Sequence, residues 1–128
     1  METMIFTIVV LILSIIVHEV AHGYAANALG DPTARLAGRL TLNPIPHIDL
    51  FGSIIIPGMV LTSSPFLFGW AKPVPYNPYN LTNKRWGEAI VGVAGVATNL
   101  LLAVIFAFVA RYAFASGMQD FASLAALV

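Results

Sequence analysis

Three stretches of this chain run almost free of charge for the length of a membrane crossing, and nothing else limits its folding so tightly. Residues 3–17 hold no Asp, Glu, Lys or Arg, and the apolar run continues through one short polar cluster to Leu29. Residues 50–71 and 89–110 are also free of these four residue types. A helix crosses the hydrocarbon core with about 20 mostly apolar residues, and each stretch supplies roughly that. The whole chain is 59% hydrophobic and only 9% charged, where a soluble domain carries about a quarter charged residues. It lacks the polar surface to cover a globule in water. The lipid bilayer is therefore its expected surroundings. Formal net charge is zero and there is no basic patch, which speaks against nucleic acid as a partner. There is no cysteine, so disulfides and thiolate metal sites are excluded.

The three stretches differ in quality. The first is expected to be helical throughout and to stop at Gly30, a good helix C-terminal residue, with Asp31-Pro32 following. The second is interrupted by Gly52, Pro57, Gly58 and Pro65, which predicts a kinked or broken helix. The third is the best formed, and its Gly92, Gly95 and Ala97 allow a second helix to approach closely. All eight prolines lie between Pro32 and Pro78, so the middle of the chain reads as loop-rich. Within it, RLAGRLTL (residues 35–42) alternates loosely and reads as a short strand or hairpin piece. AKPVPYNPYN (residues 71–80) reads as an extended segment at the membrane surface, because each proline biases its predecessor away from helix. Gly117 to Asp120 reads as a turn, and Phe121 to Val128 as the start of another apolar run. The expected fold is thus a mostly α integral membrane protein with three transmembrane spans, the start of a fourth, and a small β element after the first span. One membrane-embedded domain over residues 1–128 is expected, incomplete at its C-terminal end. Positive charges show no clear asymmetry between the loops, so orientation stays open. The N-terminus has no basic leader, so the first apolar run is expected to be retained.

The chemistry is concentrated in SIIVHEVAHGYAANALG (residues 14–30). His18, Glu19 and His22 form an H-E-x-x-H pattern. On a helix, positions i and i+4 share one face, so both imidazoles can reach one Zn²⁺ at about 2.0–2.1 Å. Glu19 lies about 100° further round, where it can take a proton from water without being a ligand. Such short patterns also arise by chance in soluble helices. Here Ile12, Leu13, Ile15, Ile16 and Val17 cover every face of the helix before His18, and ionisable groups inside such a span cost several kcal/mol unless paired or metal-bound.

Three pieces in order resemble one family. HEVAHGYAANALGDPTARLAGRLTLNPIPHIDLFGSIIIP, WAKPVPYNP (residues 70–78) and AGVATNLLLA (residues 94–103) are similar to segments of the site-2 protease family of intramembrane zinc metalloproteases, in its small bacterial and archaeal form without a PDZ domain. The resemblance covers about residues 14–111. It implies a zinc endopeptidase that hydrolyses peptide bonds in transmembrane segments of membrane proteins, placed in a prokaryotic plasma membrane. It implies His18 and His22 as metal ligands, Glu19 as catalytic base, and Asn99 as a residue that steadies the substrate carbonyl. Asn99 also has a bland reading, as a polar bond between helices.

Two departures weigh against a complete catalyst. Val96 stands where the family usually has proline. The family's third ligand, an aspartate in a Leu-Asp-Gly motif, has no counterpart in this sequence. Asp49 and Asp120 are weak substitutes. The alternative function is therefore a non-catalytic membrane protein, or pseudoprotease, that binds transmembrane helices without cutting them. His47 reads first as a surface or hydrogen-bonded histidine. Trp70, Tyr76, Tyr79 and Trp86 read as an interfacial aromatic belt. Arg35 and Arg39 are expected to be solvated or to face lipid headgroups. The edge of residues 35–42 is a candidate for holding an extended substrate strand.

Overall fold

A computed structural model of the protein describes residues 2–56, 71–118, 123, 125 and 126. Two long helices dominate it: α1, Glu2–Ala28, and α3, Gly87–Ala115. Between them lies a short helix α2, Thr33–Leu36, and single turns at Ile45–His47, Leu50–Ile55 and Pro78–Asn80. Helices α1 and α3 pack against each other, and α2 packs on α1.

Each helix stops for a definable reason. At the end of α1 the Gly30 amide bonds Asn27 O at 3.2 Å and the Asp31 amide bonds Ala26 O at 2.9 Å. Gly30 sits at φ +103°. This pair of bonds closes the helix with a residue that needs the left-handed region. Gly117, at φ +77°, ends α3 in the same way, with Gly117 and Met118 bonding Phe114 O and Ala113 O.

Ile5–Ala28 and Gly87–Ala115 are long and apolar enough to cross a membrane. A core helix of a soluble protein would be mostly covered, yet only 11% and 6% of an 18-residue apolar segment within these two helices is buried in the protein. Leu100, Phe108 and Phe114 are exposed on α3. Apolar surface of this extent is stable against lipid and not against water, so this is a membrane protein.

The expectation of three spans and a β element is corrected. Among the described residues there are two candidate spans and no strand. The stretch from residue 50 begins as a six-residue π-helical turn, Leu50–Ile55, capped by the Asp49 carboxylate on the Gly52 amide at 2.7 Å. Residues 57–70, which were to carry most of that span, lie outside the described residues, as do Trp70, Asp120 and most of the expected fourth run. The expected strand at residues 35–42 fails for a local reason. Asp31 accepts from the Thr33 amide and starts α2, which takes up Arg35 and Leu36. Gly38 (φ +66°) then closes α2, with Arg39 N bonding Ala34 O at 3.0 Å. Gly38 ends a helix here; it does not interrupt a strand.

The core is small. Ala26, Leu81 and Val91 are buried together, with Ala25 and Leu29 against them. It ties the end of α1 to the start of α3. Residues 71–77, a strap without regular secondary structure, run beside it.

Candidate metal centre

Ser14, His18 and His22 recur every four residues and so form one ridge of α1. Val91, Gly95 and Asn99 form a matching ridge of α3. The two ridges meet in antiparallel register. Ser14 Oγ donates to Asn99 Oδ1 at 3.4 Å. His18 and His22 both face Gly95. His22 Nδ1 lies 2.6 Å from Val91 O.

The last of these bonds settles a proton. A carbonyl only accepts, so His22 Nδ1 carries a hydrogen, and in the neutral ring Nε2 then holds the lone pair. The His18 and His22 rings stand edge to face, with centroids 4.6 Å apart. Their Nε2 atoms converge on Gly95. A methyl group built there would sit 2.6 Å from each, closer than any real contact. Gly95 thus lets both imidazoles pack against α3 where any side chain would collide with them. His18 Nδ1 is buried and has no hydrogen bond among the described residues.

Glu19 projects from a different side of α1. Its Oε2 accepts the Val74 amide of the strap at 2.9 Å. One turn on, Gly23 lets the strap and the α2 turn come close, since a Cβ there would meet Leu40 Cδ2 at 2.6 Å and Val74 Cγ1 at 3.0 Å. Ligand atoms of His18, Glu19 and His22 all lie within 4.8 Å of one another. Two imidazoles with one lone pair assigned, beside a carboxylate, are donors that suit zinc. The two histidines fit two of the three protein ligands a zinc hydrolase uses. Among the described residues no other His, Cys, Asp or Glu joins the group.

The remaining sequence candidates lie elsewhere or are tied down. Asp49 caps the Leu50–Ile55 turn. His47 is buried, not at the surface, and its Nε2 donates to Thr41 O at 2.9 Å. Arg39, expected in solvent or among headgroups, is buried and donates to Lys72 O at 2.6 Å. Arg35, Tyr76, Tyr79 and Trp86 are exposed.

One contributor had no place in the sequence reading. Asp31 is fully buried. Its carboxylate accepts from the amide and hydroxyl of Thr33, the amide of Asn77 at 2.6 Å and Asn80 Nδ2 at 2.9 Å. Burial pushes its pKa up, but the bonds from Thr33, Asn80 and Asn77 outweigh this and hold it below the usual carboxylate value. Asp31 therefore anchors the far end of the strap that reaches Glu19. The signal available was an acidic residue directly after a helix-ending glycine and before Pro-Thr.

The family model described as Peptidase family M50 matches residues 6–126. The chain is 41% identical over 123 residues to "Putative zinc metalloprotease YwhC" of Bacillus subtilis (strain 168), covering 96% of this chain and 53% of that one. It is 30% identical over 94 residues to "Putative zinc metalloprotease Rip2" of Mycolicibacterium smegmatis, covering 73% of this chain and 35% of that one. The chain thus spans about half the length, or less, of these curated relatives. No solved structure matches it.

Proposed function

The chain belongs to peptidase family M50, and on that footing we propose that it forms the base and two-histidine part of an intramembrane zinc endopeptidase. Its substrates are peptide bonds in transmembrane segments of other membrane proteins, in a prokaryotic plasma membrane. One observation carries the reading. His18 and His22 bring their rings together over Gly95, with a Glu19 carboxylate oxygen within 4.8 Å, on a helix long and apolar enough to cross a membrane.

His18 and His22 would hold the metal. Zinc bound there supplies Lewis acidity and makes water acidic enough to ionise near neutral pH. The protein's own groups do the rest. His22 is locked in the ligating tautomer by Val91 O. Glu19 takes the proton of the attacking water and delivers it to the leaving amine. Asn99, turned by Ser14 so that its Oδ1 is occupied, keeps its amide N–H groups for the substrate carbonyl oxygen, where negative charge develops.

A second reading is favoured by the donor set, since the described residues supply two ligands beyond the base, not three. In it the protein grips transmembrane helices without cutting them. The deciding experiment reconstitutes the protein in liposomes with a membrane-spanning reporter peptide. Cleavage that stops on chelation and in Glu19→Gln supports the protease. Binding of the reporter without cleavage supports the second reading.

A further inference from the structure

We propose that Val74 is a positioning residue for the general base: its main-chain amide holds the Glu19 carboxylate, and the strap is pinned at both ends to keep that amide in place. This rests on the protease reading of Glu19.

The strap has unusual backbone chemistry at this point. Pro73 and Pro75 flank Val74, so Val74 carries the single N–H of three consecutive residues. Both prolines fix φ near −65°, and Pro75 restricts Val74 to extended geometry. The donor therefore has little freedom to swing away. It lies 2.9 Å from Glu19 Oε2. The Val74 side chain is itself buried and packs over Gly23.

The anchors are equally specific. On one side the Lys72 amide bonds His47 O at 2.9 Å, and Arg39 donates to Lys72 O at 2.6 Å. On the other the Asn77 amide bonds Asp31 Oδ2 at 2.6 Å. Buried polar residues thus hold the strap two residues before Val74 and three after it. A glutamate side chain has three rotatable bonds, and a base must stay within hydrogen-bond reach of its proton. Tying one oxygen to a stiff amide fixes the carboxylate and leaves the other oxygen for the attacking water.

The test removes one N–H in the intact protein. Val74→Pro does so by substitution. Replacing Val74 by its α-hydroxy acid does so without altering the side chain, which keeps the proposal testable if the proline variant misfolds. A hydrogen bond to a charged group carries about a ten- to hundredfold effect. The expected result is a kcat lower by about that factor, with KM and zinc content per chain as in the wild type. In a Glu19→Gln background the same replacement should have no further effect. A wild-type kcat for the ester, or a loss that comes with lost zinc or a matching rise in KM, overturns the proposal. If wild type and Glu19→Gln are equally active, the protease reading falls first. If they differ and the ester is unaffected, only the positioning role falls.

Discussion

His22 Nδ1–H donates a hydrogen bond to the carbonyl of Val91 across the α1–α3 seam, at 2.6 Å. That bond does two things at once. It frees Nε2 for a metal, and it fixes the register in which the two helices meet. In that register Gly95 falls opposite both imidazoles and Asn99 falls opposite Ser14. A slide of one residue along the seam would put a side chain where Gly95 leaves room.

Gly95→Ala should therefore abolish metal binding. The added methyl would sit 2.6 Å from both Nε2 atoms, so either the rings turn away or the helices part. Zinc per chain, measured by elemental analysis of the purified protein, is expected to fall far below the wild-type value. Gly92→Ala, where an added Cβ meets nothing within 4 Å, should keep its zinc. Equal zinc in the two variants would remove Gly95 from the site.

Glu19→Gln should separate chemistry from metal binding. The amide cannot take a proton, so cleavage of a membrane-spanning reporter should fall by about 10²–10⁴-fold. Zinc content should stay near the wild-type value, because the two histidines are untouched. Parallel loss of zinc and activity would mean that Glu19 is a ligand, not a base.

Asn99 and Ser14 form a graded pair. Asn99→Ala removes a donor to the developing oxyanion, and a loss of about 10²–10³ in kcat is expected. Ser14→Ala removes only a long bond that orients the amide, 3.4 Å between heavy atoms, and should cost about two- to threefold. If both variants lose the same small factor, Asn99 is a helix-to-helix bond and no more.

The local parts of this site were legible in the sequence, and the parts that need a second element were not. His18 and His22 share a face by helix geometry alone. Gly30 and Gly117 announce where their helices end. Gly95 reads from the sequence as a point of close helix approach, but neither its place opposite the two imidazoles nor the role of the Val91 carbonyl can be assigned until α3 is docked. The stretch from residue 50 reads as a span by its lack of charge, but the described residues form only the Leu50–Ile55 turn, and residues 57–70 lie outside them. At residues 35–42 the loose alternation suggests a strand, but the Asp31 carboxylate on the Thr33 amide and the positive-φ Gly38 bracket a helix at Thr33–Leu36. Arg39 looked like a headgroup residue, yet its guanidinium is enclosed and serves the strap.

Asp31 should give the protein an acid limit of stability. Its pKa in the folded state lies below the ordinary value, because hydrogen bonds from Thr33, Asn80 and Asn77 outweigh the opposing effect of burial. In the unfolded chain it titrates near 3.9. Above about pH 5 both states are ionised and the contribution is present in full. As pH falls through the folded value, the native state must bind a proton at a site built for acceptors, and the contribution is lost. Asp31→Asn should remove this limb, since it has no proton to gain. It should also lower stability at neutral pH by about 1–3 kcal/mol, because an amide N–H₂ would face the donors of Asn77 and Asn80. Thermal unfolding of both proteins in one detergent, between about pH 3 and 7, checks both parts. The wild-type midpoint should drop on the acid side while the variant stays flatter. Parallel curves would show that other carboxylates set the acid limit and that Asp31 anchors the strap without governing it.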